Sequence, residues 1–78
     1  MIEKILAYIL VCCNNGEFDQ TTVALISENL KISRSQVSVV LNKLVKENKV
    51  IRIESKPFCF ISVAYLNENG IPFKDSVY

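Results

Sequence analysis

Residues 32–48, ISRSQVSVVLNKLVKEN, decide the fold class. Apolar residues recur there at the spacing of one helical face, at Val37, Val40, Leu41, Leu44 and Val45. The remaining positions of 34–48 are polar except for Val39, and Ser33 is a favourable N-cap residue. The pattern predicts a helix over about residues 34–48 with one buried stripe and one exposed polar face.

A second helix is expected just before this one. It begins at Thr21 or Thr22, since either hydroxyl can accept a hydrogen bond from a free amide of the first turn. Its buried side is marked by Val23, Ile26 and Leu30. Only Lys31-Ile32-Ser33 separates the two helices, and two helices joined by so short a turn predict a helix-turn-helix.

Two short runs rich in β-branched and aromatic residues follow, at 50–54 and 58–63. They are separated by Ser55-Lys56-Pro57, which predicts a β-hairpin over residues 50–63. A hairpin directly after a helix-turn-helix is a wing. An alternative for the end of the second strand is that Ser62 caps a short helix over 63–69, closed by Gly70.

The first helix is expected over residues 2–13 and ends at Asn14-Asn15-Gly16. Its main apolar stripe is formed by Ile2, Ile5, Leu6, Ile9, Leu10 and Cys13. The opposite face is also largely apolar, so the helix should be buried on more than one side. Two interpretations stay open: a central core helix, or a surface for a homodimer or an interdomain contact.

These elements predict a mainly α fold with a small β-hairpin, a winged helix-turn-helix of three helices plus a wing and a short C-terminal helix. The length of 78 residues suits one domain, expected over 1–70, with 71–78 as a tail or linker. The longest apolar run, 5–13, is far shorter than the roughly 20 residues of a membrane span. We therefore expect a cytoplasmic protein without membrane contact.

The composition also argues against catalysis and metal binding. The chain has no histidine, and Cys12, Cys13 and Cys59 form no Cys-x-x-Cys pair. Zinc sites and Cys-His or Ser-His catalytic pairs lack their residues. We expect no enzyme activity, no cofactor, no small-molecule ligand in this domain, and reduced thiols that behave as small hydrophobic groups.

Charge is distributed unevenly along the chain although the net charge is only +1. Residues 31–56 contain seven basic and two acidic residues, whereas the rest of the chain is net negative. Such segregation suits a protein with one face toward a polyanion. An ordinary solvated face is the alternative explanation.

Double-stranded DNA is the partner that this pattern favours, because a recognition helix turns its N-terminal residues toward base edges in the major groove. Gln36 suits adenine, Arg34 suits guanine or phosphate, and Asn42 suits a base or a sugar. Short hydroxyls and basic side chains suit the phosphate backbone. On the wing, Lys56 with Arg52 behind it would contact a flanking phosphate or the minor groove. The full set of candidates is Ser33, Arg34, Ser35, Gln36, Ser38, Asn42, Lys43, Lys46, Arg52 and Lys56.

The segment 22–60 resembles the N-terminal winged helix of activators that serve sigma-54 RNA polymerase and carry phosphotransferase-system regulation domains, the mannitol and levan regulator type. The resemblance lies in 32–38, 41–47, 50–53 and the wing 56–60. It implies a DNA reader of a bacterial regulator whose parent carries an ATPase domain and sugar-responsive modules. Where that family tends to have Arg-Pro-Val-Tyr-Phe, this wing has Lys56 and Cys59 in place of the arginine and tyrosine, which weakens the case for a bidentate phosphate contact.

The competing function is a winged-helix module for protein contact without DNA. The small net charge, the apolar first helix and the position of Val39 on the polar face favour this alternative. The two functions differ in salt dependence, because phosphate contacts release counterions and therefore weaken steeply as salt rises.

Overall fold

Four α-helices, one short 3-10 helix and one antiparallel hairpin build the fold over residues 2–54 and 57–71, the part of the chain that the computed structural model describes. The elements are α1 (Ile2–Asn14), the 3-10 helix (Phe18–Gln20), α2 (Val23–Leu30), α3 (Arg34–Lys46), β1 (Val50–Ile53), β2 (Cys59–Ser62) and α4 (Val63–Glu68). This order and pairing confirm the predicted winged helix, including the short C-terminal helix.

The core lies between α1, the helix-turn-helix and the hairpin. Its fully enclosed side chains come from every one of these elements: Ile5, Ile9, Cys13, Ile26, Val37, Leu41, Leu44, Val50 and Phe60. The core-helix interpretation of α1 is therefore confirmed for its main stripe. On the opposite face, Cys12 is buried and Tyr8 half-buried, while Ala7 and Val11 are exposed.

The four α-helices end in a similar backbone conformation. Each α-helix is followed by a residue with positive φ, and these residues are Gly16, Lys31, Asn48 and Gly70. After α3, for instance, the amides of Asn48 and Lys49 donate to the carbonyls of Val45 and Leu44, the paired bonds of a Schellman motif. The prediction that α3 continues to residue 48 was therefore wrong by two residues, because Asn48 leaves the helical conformation.

The turn of the helix-turn-helix is held by side chains as well as by the backbone. Lys31 adopts φ 57°, and the Ile32 amide donates to the Ser27 carbonyl at 3.1 Å. The Ser27 hydroxyl donates to the Ile32 carbonyl, so Ser27 bridges the turn from inside α2. Ser33 then caps α3, with its hydroxyl accepting from the Gln36 amide at 3.3 Å.

The two candidate N-cap threonines have different roles. Thr22 caps α2, because its hydroxyl accepts from the Leu25 amide at 3.3 Å. Thr21 is fully buried, donates to the Phe18 carbonyl at 2.8 Å and accepts from the Phe60 amide at 3.1 Å. The prediction of Thr21 as the alternative cap was wrong, since its hydroxyl is used between the 3-10 helix and β2.

The hairpin is in the register that pairs Arg52 with Phe60 and Val50 with Ser62. Phe60 and Val50 enter the core, which anchors the base of the wing to the helices. Ser62 ends β2 and caps α4, because its hydroxyl accepts a hydrogen bond from the Tyr65 amide at 3.5 Å. This confirms the alternative in which Ser62 caps a short C-terminal helix. Residues 55–56 at the predicted wing turn, and 72–78 of the predicted tail, lie outside the described residues.

Candidate nucleic-acid interface

The exposed face of α3 is the candidate interface. Its core-facing side is the buried stripe Val37, Val40, Leu41 and Leu44. Every predicted contact residue on this helix is exposed: Arg34, Ser35, Gln36, Ser38, Asn42, Lys43 and Lys46. The 13-residue helix therefore presents one side that is free of core packing along its whole length.

The angular positions on α3 distinguish the centre of this face from its margins. At about 100° per residue, Ser35, Val39, Asn42 and Lys46 point directly away from the buried stripe. Arg34 and Gln36 lie about a quarter-turn to either side. Of the three residues predicted to read bases, Asn42 thus lies at the centre of the face and Arg34 and Gln36 at its margins. Arg34 and Gln36 are in the first turn, whose residues a recognition helix turns toward base edges.

Val39 also lies at the centre of this face, although it is not among the DNA contacts predicted from the sequence. It is 67% exposed, the highest value among the large apolar side chains of the described residues. A shallow groove of about 400 Å³ beside it is lined by Ser35, Gln36, Val39 and Val40. The signal that could have found it is positional, since residue 39 is four residues after Ser35 and three before Asn42.

The hydroxyls at the start of α3 are close together. The side-chain oxygens of Ser33 and Ser35 are 3.5 Å apart, and both residues are exposed. The Ser33 hydroxyl is occupied as a helix cap, whereas Ser35 lies one turn before Val39 on the same face. These small side chains allow another molecule to approach the helix closely.

The charge of α3 is purely basic, since the helix contains Arg34, Lys43 and Lys46 and no acidic residue. Among residues 2–54 and 57–71, the one ion pair joins Arg52 and Glu54 on the wing, with 3.5 Å between nitrogen and oxygen. The cations of α3 therefore have no acidic partner within the described part of the chain. This leaves them available for an anionic partner.

The wing candidates differ from those of α3. The Arg52 guanidinium lies 5.1 Å from the centre of the Phe58 ring and also pairs with Glu54. Because both interactions are exposed to solvent, they orient the guanidinium but contribute little to the stability of the fold. Lys56 lies outside the described residues, so its predicted contact at the wing tip stays a prediction.

The described residues offer neither a metal site nor a membrane-spanning helix. No group of histidine, cysteine or acidic side chains among residues 2–54 and 57–71 is placed to hold a metal ion. Within those ranges, no helix is both long and apolar enough to cross a membrane. Cys12 and Cys13 are buried, and burial raises the pKa of both thiols.

Comparison with known families agrees with this geometry. The family model described as "Sugar-specific transcriptional regulator TrmB" matches residues 6–65, a span from within α1 to within α4 that contains the helix-turn-helix and the hairpin. Searches of curated proteins and of solved structures gave no significant match. Since the matched span is well over half of the 78 residues, the chain belongs to the TrmB family of sugar-specific transcriptional regulators.

Proposed function

We propose that this domain binds double-stranded DNA sequence-specifically, with α3 in the major groove and the hairpin against the flanking backbone. The observation that carries the proposal is the face of α3, exposed along the whole helix and without an acidic residue. A two-turn or longer helix with one free polar side has the dimensions that the major groove admits. The family match supports the same role, because it assigns the domain to transcription regulators.

The contacts divide into two classes. Ser35, Gln36 and Asn42 carry hydrogen-bonding groups of the length that reaches base edges, so they would determine sequence preference. Lys43 and Lys46 in the last turn of α3, and the exposed Lys49 just after the helix, would contact phosphates. Arg34 can serve either class, since it is both N-terminal and at the margin of the face.

The domain is proposed to span residues 1–70, with 71–78 as a tail or linker to further parts of a cytoplasmic regulator. Both the matched family and the resemblance at residues 22–60 concern regulators that respond to sugars. The narrower assignment to sigma-54 activators with phosphotransferase-system domains rests on the wing residues Pro57, Phe58 and Phe60 and stays a prediction.

The predicted homodimer or interdomain contact through residues 2–13 also stays a prediction. Ala7 and Val11 leave part of α1 exposed and apolar, whereas the main stripe of the helix is used by the core. Sedimentation that finds only monomer at high concentration would contradict the homodimer.

Selection from a random duplex pool tests the proposed function. The bound fraction should converge on a consensus, and the domain should bind this consensus at least about 10³-fold more tightly than a shuffled duplex at physiological salt. A pool that never converges would contradict sequence-specific binding. Absence of any duplex binding would favour the alternative, a protein-contact module whose first candidate surface is α1.

A further inference from the structure

Val39 contributes little to the fold that contains it. Its side chain is 67% exposed, while the neighbouring Val37 and Val40 are buried in the core. A β-branched residue also favours a helix less than alanine or lysine would at a solvent-facing position. Neither packing nor helix propensity accounts for valine at residue 39.

The surroundings of Val39 define what could contact it. It lies at the centre of the α3 face, between Ser35 one turn earlier and Asn42 one turn later. Val39 also lines the shallow groove, together with Ser35, Gln36 and Val40. A small apolar group can therefore reach Val39 while polar groups on either side find hydrogen-bond partners.

We propose that Val39 reads the C5-methyl group of a thymine in the major groove. This inference rests on the proposed function and names one specificity-determining residue of that interface. Thymine is the standard base that presents a methyl group in the major groove, and apolar side chains are what recognise it. Contact with a methyl group needs no hydrogen bond, so an apolar side chain such as that of Val39 can recognise a base from the DNA-binding face of α3.

Asn42 extends the inference to a two-base-pair step. Three residues along an α-helix span about 4.5 Å, close to the rise of roughly 3.4 Å between base pairs. Val39 and Asn42 thus reach neighbouring base pairs, and an asparagine side chain pairs best with adenine. The consensus should therefore contain a thymine, which Val39 contacts, next to an A·T base pair in either orientation, whose adenine Asn42 contacts.

Replacement of thymine by deoxyuridine isolates the methyl group, because the two bases have the same hydrogen-bonding groups. Each thymine of the selected consensus is replaced in turn, and the Kd is measured by fluorescence anisotropy. At one position the replacement should raise the Kd of the wild-type domain about four-fold, the effect of one buried methyl. Val39→Ala should bind the thymine duplex at least about four-fold more weakly and should not distinguish uracil from thymine at that position.

Ile71→Ala is the control, because Ile71 is another exposed β-branched residue, at 41%, but follows α4 and belongs to no proposed interface. It should bind like the wild type and keep the preference for thymine. If specific binding is intact but no uracil replacement weakens it, or if Val39→Ala keeps the full preference for thymine, the inference is wrong and the proposed function stands. If the domain selects no consensus, the proposed function fails, and the inference fails with it.

Discussion

The Thr21 hydroxyl accepts a hydrogen bond from the Phe60 amide at 3.1 Å and so joins two residues that are 39 positions apart. The hairpin has two strands, so β2 has one edge that β1 does not pair. Thr21 satisfies an amide on that edge within a buried region. Because the same hydroxyl donates to the Phe18 carbonyl, it attaches the base of the wing to the 3-10 helix before α2.

Thr21→Val should therefore destabilise the fold although valine has nearly the same shape. It removes the acceptor and leaves the Phe60 amide buried without its partner, which costs about 1–3 kcal/mol of unfolding free energy. Thr21→Ser keeps the hydroxyl and should cost about 0.8 kcal/mol or less, the value of one buried methyl. Urea denaturation measures both, and equal losses in the two variants would show that the hydrogen bond is unimportant.

The double variant Arg34→Ala with Gln36→Ala should lose a large part of its sequence preference while its fold stays intact. Both side chains are exposed in the first turn of α3, so their removal disturbs no core contact. The ratio of affinities for the consensus and a shuffled duplex should fall at least ten-fold, roughly the value of one bidentate base contact, with an unchanged urea midpoint. A variant that keeps the full ratio would show that the base-reading residues lie elsewhere on α3.

Lys46→Ala should weaken binding evenly across DNA sequences, because a phosphate contact carries no base information. The slope of log Kd against log salt should decrease by about one unit for the lost phosphate contact. Lys4→Ala is the control, since Lys4 is an exposed lysine on α1. An unchanged salt slope in Lys46→Ala would remove Lys46 from the interface.

The buried thiols offer a test of the core that is independent of DNA. Burial raises the pKa of Cys13, and since the thiolate is the reactive form, fewer molecules are reactive at a given pH. In a Cys12→Ala, Cys59→Ala background, Cys13 should be alkylated far more slowly at pH 8 in the folded state than in urea. Equal rates would contradict the burial of this side of α1.

The parts of the fold that the sequence predicted are those in which the pattern is local. The apolar stripe of α3, its Ser33 cap and the β-branched strands each need only neighbours in sequence to be recognised. The predicted boundaries were less accurate, as at Asn48, because a left-handed residue can end a helix without a glycine or a proline to mark it.

What the sequence could not predict depends on partners that are distant in sequence or on very short elements. The 3-10 helix Phe18–Gln20 is too short to show a period, and the Thr21–Phe60 bond joins segments 39 positions apart. For the interface, both the residue types on α3 and its buried stripe were predictable, and the central position of Val39 between Ser35 and Asn42 follows from the same helical spacing. In the sequence alone, the apolar side chain of Val39 favours the protein-contact alternative.

The measurement that tests the central claim most directly is fluorescence anisotropy of a labelled random duplex pool titrated with this domain at low and at physiological salt. We expect binding at low salt that weakens steeply as salt rises, because the cations of α3 release counterions from phosphates. Absence of binding at both salt concentrations, or binding that salt does not change, would contradict the account of α3 as a DNA-reading helix.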